Sequence, residues 1–143
     1  MKSFREFILE SERLIVYRGI TTNNLEHAMV GRPDYNVFAS TNPWLALSYA
    51  GEDGTVYAFD ISGMELIDFP VPIGKFGPKF DMFEFDRAAK RLKPNTVLVA
   101  RGVYDAGPRG TTRNDPERLY SYKSDIYAIG NGTNLTVDSE WTP

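Results

Sequence analysis

The chain of 143 residues carries 16 basic and 19 acidic side chains, a net charge of −3, with 42% hydrophobic and 13% aromatic content. This is enough apolar material for one domain, residues 1–143, with its own core, and the slight acidity argues against strong nonspecific DNA binding. Zero cysteines exclude disulfides, thiolate catalysis and cysteine zinc sites, and the single histidine, His27, excludes a multi-histidine metal centre.

Phe4 to Glu10 has apolar residues at 4, 7 and 8, which predicts a short leading helix. The N-terminus has no apolar core of the kind a secretion signal needs and carries an acid early, at Glu6. No run approaches the ~20 apolar residues of a membrane span. The expected setting is therefore the cytoplasm, away from any membrane. Leu14 to Arg18 is a continuous apolar run ending in Arg18-Gly19, the pattern of a buried strand with a charge at its tip. Thr22-Asn23-Asn24 can cap a helix from about Leu25 to Val30, and Gly31-Arg32-Pro33-Asp34 breaks it into a loop.

Asn36 to Ala39 is the next expected strand. It meets Ser40-Thr41-Asn42 and then a helix from Pro43 to Ala50, with proline in the first turn where its missing N–H is harmless. Glu52-Asp53-Gly54 turns the chain into a strand over Thr55 to Ile61 whose incomplete alternation suits burial on both sides. Met64 to Phe69 reads as a further strand, and Pro70 to Pro78 as an irregular proline-glycine loop. Phe80 to Leu92 is the longest helical stretch, ending in Lys90, Arg91 and Lys93 as the helix dipole favours. Strands are expected over Thr96 to Val103 and Arg118 to Tyr122. Short strands with interspersed helices and no regular β-α-β rhythm favour an α+β fold, a partly open pair of mostly antiparallel sheets, over a doubly wound one.

Three positions stand out chemically. Arg18, at the end of an apolar strand, must reach solvent, a carboxylate or a bound anion. Its planar fork suits a pyrophosphate or ribose edge, and Gly19 would allow close backbone approach. Pairing with a local acid is the plainer explanation. Ser40 and Thr41 sit at a strand-to-helix turn, where they either cap the helix or orient a ligand and a carboxylate. Trp44 and Tyr49 on that helix are core residues or, if one faces a cleft, a stacking surface for a flat ring. Glu117 follows the loop Gly107 to Pro116. It is either a solvated edge carboxylate or the group that stabilises an oxocarbenium-like state when an N-glycosidic bond to ribose breaks.

The ordered set Arg18-Gly19, Phe38-Ala39-Ser40-Thr41 and Asp115-Pro116-Glu117 resembles the arginine–serine–glutamate signature of mono-ADP-ribosyltransferases. The stretch from Glu117 to Thr133 is similar to the C-terminal strand of ADP-ribosyltransferase-like domains of phages and mobile elements. The likeness spans residues 14 to 134. It departs from the family pattern at Asn42, which replaces the last serine of a Ser-Thr-Ser element, and at Asp115, where Glu or Gln is usual.

The resemblance implies an ADP-ribosyltransferase-like fold around an NAD cleft, with NAD as substrate and no metal. Catalytic roles fall on Glu117, Arg18 and Ser40, and NAD contacts on Arg18, Gly19, Ser40, Thr41 and Tyr49. The implied acceptor loop carries Arg109, Thr111, Thr112, Arg113 and Asp115. The implied activity is transfer of ADP-ribose to a macromolecular acceptor, protein ahead of nucleic acid. The expected actor is a monomeric phage effector or bacterial toxin in a host cytoplasm. NAD hydrolysis on the same scaffold and a catalytically silent binding protein are the alternatives.

Overall fold

The computed structural model describes residues 13–20, 37–51, 53–75, 77–78, 80–105 and 122–143. Strands β1 (Ile15–Ile20), β2 (Val37–Ser40), β3 (Thr55–Asp60), β4 (Glu65–Phe69), β7 (Thr96–Asp105), β8 (Tyr122–Ile129) and β9 (Val137–Trp141) form one sheet. Its order is β4-β7-β8-β2-β1-β3-β9. The two-residue strands β5 (Ile73–Gly74) and β6 (Gly77–Pro78) make a separate small ribbon. Helices α1 (Pro43–Ala50) and α2 (Met82–Ala89) complete the described elements. The chain is thus a mixed α+β protein. Apart from that ribbon, the described strands hydrogen-bond into one continuous sheet where the sequence suggested two.

Every pairing in the large sheet is antiparallel except β4 with β7. Parallel neighbours need a long crossover, and the segment containing the ribbon and α2 supplies it. Successive side chains of β7 go to opposite faces. Val97 and Val99 join a core with Val16, Ala39, Phe59, Tyr127 and Ile129. Leu98 and Ala100 face the helices, in a cluster with Leu45, Phe85, Ile126 and Ala128. Phe85 anchors this side: its ring lies 5.2 Å from that of Phe80, 5.3 Å from Phe69 and 6.0 Å from Phe38.

Helix α1 is apolar almost all round, and such a helix has to be covered. Leu45, Ala46, Leu47, Ser48 and Ala50 are buried. Its cap is Asn42, not Ser40 or Thr41: the Asn42 side chain accepts from Trp44 N–H at 3.0 Å. Gly51, at φ 73°, ends the helix in a conformation that favours glycine. The helix sits directly on β1. A Cβ built on Gly19 would lie 1.9 Å from the Ala46 carbonyl oxygen and 2.7 Å from the Ala50 nitrogen.

Helix α2 is shorter than the Phe80 to Leu92 pattern suggests: Asp81 caps it, so that it begins at Met82, and it ends at Ala89, where the Arg91 and Leu92 N–H groups turn to the carbonyls three residues back. The Asp81 carboxylate accepts from Phe83 N–H at 3.0 Å and Glu84 N–H at 3.2 Å. Asp81→Ala strips two amides of that partner and is expected to destabilise the protein by about 1 kcal/mol. Asp81→Asn should retain most of it. Urea denaturation measures both, and an unchanged midpoint for the alanine variant would mean that water serves those amides equally well.

The remaining differences from the sequence reading have local causes. The proline-glycine stretch 70–78 contains the β5–β6 ribbon. Strand β7 continues past Val103 to Asp105 by taking up a bulge between Ala100 and Val103. There Gly102 adopts φ 66° and its N–H donates to the Asp125 carboxylate at 2.7 Å. The helices expected over 4–10 and 25–30, the loop at 31–34 and residues 118–121 of the expected last strand lie outside the described residues.

Both outer strands carry acids, Glu65 and Asp68 on β4 and Asp138 and Glu140 on β9. Such charges discourage further strand addition. Arg13 ties the start of β1 to β3 and β9, with Nε 3.2 Å from Asp60 and Nη2 2.8 Å from Asp138. Asp60 is held below the usual carboxylate range by its hydrogen bonds from Ser62, with Arg13 adding to the effect.

Candidate functional site

The segments carrying Arg18 and Ser40 lie on neighbouring strands. β1 carries Arg18 and Gly19, β2 beside it carries Ser40, and β8 on the far side of β2 begins five residues after Glu117. Sequence order alone does not dictate this. Residues 20 and 37, like 105 and 122, could have led the chain to any edge.

Arg18 stands opposite Tyr57 of β3. Its Nη1 donates to the Phe38 carbonyl oxygen at 2.9 Å, a bond to the backbone of the strand that carries Ser40. Strand alternation sends Arg18 and Gly19 to opposite faces. Gly19 faces α1, so Arg18 leaves from the other face. The close approach that Gly19 permits is to the backbone of α1, in place of the ligand suggested by the sequence.

Ser40 pairs with Tyr17 and so shares the α1 face. It is buried, 4% exposed, at the junction of β2 and the turn into α1. Its Oγ accepts from Asn42 N–H at 2.9 Å and is hydrogen-bonded to the Ser124 hydroxyl of β8. Ser124 is 6% exposed. Thr41 Oγ1 lies 3.4 Å from the same Ser124 oxygen, and Ser124 donates to the Asp125 carbonyl at 2.8 Å. Ser40, Thr41 and Ser124 therefore form one hydroxyl cluster bridging β2 and β8. Sequence reasoning missed Ser124. The available signal was a serine in the strand that follows Glu117, and it is silent until the β2–β8 register is known.

Tyr49 is 47% exposed, on a different side of α1 from the residues packed against the sheet. Glu117 and the loop residues Arg109, Thr111, Thr112, Arg113 and Asp115 lie outside the described residues. Of the expected site, the structure brings Ser40 and Thr41 together, links Arg18 to their strand through the backbone, and sets the Arg18 side chain on the opposite face from Ser40.

On that opposite face a hollow of about 390 Å³ is lined by residues including Leu14, Ile61, Met64, Tyr127, Arg13 and Arg101. Both guanidiniums are already ion-paired, Arg13 as above and Arg101 with Asp68 at 3.1 Å. Burial pushes the Tyr127 hydroxyl's pKa up, and the neighbouring Asp125 carboxylate adds to this while Arg101 opposes it. Tyr127 accordingly stays protonated at neutral pH. None of the described residues expected at the NAD site lines this hollow.

Among the described residues, no group of three or more His, Asp or Glu side chains is placed to hold a metal ion. No described helix is long and apolar enough to cross a membrane. No protein-family model matches the chain, and neither a curated protein nor a solved structure matches it significantly.

Proposed function

We propose that the protein transfers ADP-ribose from NAD to a macromolecular acceptor and releases nicotinamide, on an ADP-ribosyltransferase-like fold. The observation that supports this reading most is the strand order β8-β2-β1. It makes neighbours of the strands carrying Arg18 and Ser40 and of the strand that begins five residues after Glu117, although more than 70 residues separate Ser40 from the start of β8.

Each part has a defined task. Arg18 offers its guanidinium to the NAD phosphates from the sheet face opposite Ser40, which requires the dinucleotide to reach both faces. Ser40 orients the ribose end, and Tyr49 provides a ring face for nicotinamide. Glu117 stabilises the positive charge that grows on the ribose as the glycosidic bond breaks. The loop carrying Arg109, Thr111, Thr112, Arg113 and Asp115 reads the acceptor, since loops carry specificity while strands hold the chemistry. A phage effector or bacterial toxin acting in a host cytoplasm is the setting this chemistry suits.

The test is incubation of the purified chain with NAD and host-cell extract, following free nicotinamide and label incorporated into macromolecules. Release with incorporation supports transfer, and release without incorporation gives the activity to hydrolysis. No release in either condition ends the proposal. Arg18→Lys should raise the NAD concentration for half-maximal rate roughly tenfold, because an ammonium cannot make the two-pronged contact. An unchanged value would leave Arg18 a structural residue, with its bond to the Phe38 carbonyl as part of that role.

A further inference from the structure

The hydroxyl cluster at the β2–β8 junction has a direction, and it follows from counting hydrogens. A carbonyl oxygen only accepts, so the single Ser124 hydroxyl proton is committed to the Asp125 carbonyl. In the bond between the two serines, the proton must then come from Ser40. Thr41, when it engages the same oxygen, is likewise the donor. Ser40 thus spends its only proton on Ser124 and receives Asn42 N–H on one of its two lone pairs. Among the described residues, what Ser40 has left to offer is a lone pair.

We infer that Ser124 is a positioning residue of the proposed NAD site, fixing the Ser40 hydroxyl as a hydrogen-bond acceptor toward the bound nucleotide. This rests on the functional reading above and adds to it a residue and a rule of selection. The ligand group that meets Ser40 is a donor, a ribose hydroxyl or an amide N–H. A phosphate oxygen would face a lone pair and be repelled. Without Ser124 the Ser40 hydroxyl is free to rotate and present its proton instead. The site then loses its preference for a donor and leaves a buried ligand group poorly matched. The plain alternative is a hydroxyl pair that merely fastens β2 to β8.

The two are separated by nicotinamide-release kinetics on Ser124→Ala, Ser124→Cys and Ser124→Thr, each checked by circular dichroism and thermal melting. The alanine and cysteine variants should lose roughly tenfold in kcat with a smaller change in KM, the size expected for one buried hydrogen bond. Threonine keeps the hydroxyl and should return kcat to within about twofold of the parent. If Ser124 only fastens strands, the melting temperature falls while kcat per folded molecule stays at the parent value. That result overturns the inference and leaves the functional reading standing. Should alanine fail to fold, the nearly isosteric cysteine decides on the same criterion. A folded parent that releases no nicotinamide overturns the functional reading, and the inference with it.

Discussion

Replacing Glu117 by glutamine is expected to slow nicotinamide release at least ~100-fold while leaving the fold intact. The magnitude follows from the charge that appears during the reaction. As the bond to nicotinamide stretches, the ribose approaches an oxocarbenium ion, and a fixed carboxylate lowers the energy of that state more than of the ground state. Removing one aimed electrostatic partner typically costs a hundred- to a thousandfold in rate. Glutamine keeps the shape and a hydrogen-bonding group but has no charge, so a loss in kcat with little change in KM is the signature of a transition-state role. The check is single-turnover nicotinamide release, with matched circular dichroism spectra and melting curves. A well-folded Glu117→Gln protein of full activity would sink the assignment of Glu117 and the arginine–serine–glutamate reading together.

The largest effect on stability should come from the smallest change, Gly19→Ala. The added methyl would stand 1.9 Å from the Ala46 oxygen, 2.7 Å from the Ala50 nitrogen and 2.9 Å from the Ala46 carbonyl carbon. All three are helix backbone atoms, so no rotamer change relieves the clash. Either α1 lifts off the sheet or β1 bends, and both open the packing of Ala46, Leu47, Ala50 and Val56. Overpacking a core commonly costs about 1–3 kcal/mol where side chains can yield. Here about 3 kcal/mol or more is expected, read as a fall in the urea midpoint. A variant as stable as the parent would mean that α1 does not rest on β1 in solution. Because Gly19 adjoins Arg18, lost activity in this variant is interpretable only beside its stability.

Much of the local structure was legible because local chemistry decides it. Pro43 followed by an apolar, alanine-containing run marks α1 to the residue, and the strands expected over Thr55 to Ile61 and Met64 to Phe69 are present one residue shorter, as Thr55–Asp60 and Glu65–Phe69. What failed was a matter of which neighbour a residue would find. Asp81 looked like one more polar position inside a helix, yet its carboxylate starts that helix two residues late. Strand β9, Val-Asp-Ser-Glu-Trp, shows little apolar alternation because it is an edge that needs only one covered side. Gly19 suggested the close approach of a ligand, and the structure puts the backbone of a helix there. Of the expected site, the structure describes Arg18, Gly19, Ser40, Thr41 and Tyr49, and the sequence named these as residue types in order. The juxtaposition of Ser40 with Ser124 depends on strand pairing across more than 80 residues, and no periodicity encodes a partner so distant in the chain.

The position of β8 has a consequence for how the protein is made. In the sheet order it alone joins the β4–β7 pair to the β2–β1–β3–β9 group. It is also the next-to-last strand in the chain. A ribosome therefore delivers β1 through β7 before the strand that can unite them exists. At roughly 5–20 residues per second, the nascent chain spends on the order of seconds with two open strand edges, β2 and β7, both awaiting residues 122–129. Both edges are rich in apolar residues, from Val37-Phe38-Ala39 to Val97-Leu98-Val99-Ala100. Such edges are templates for pairing with the wrong chain. A product that ends before residue 122 is therefore expected to aggregate where the full chain stays dispersed.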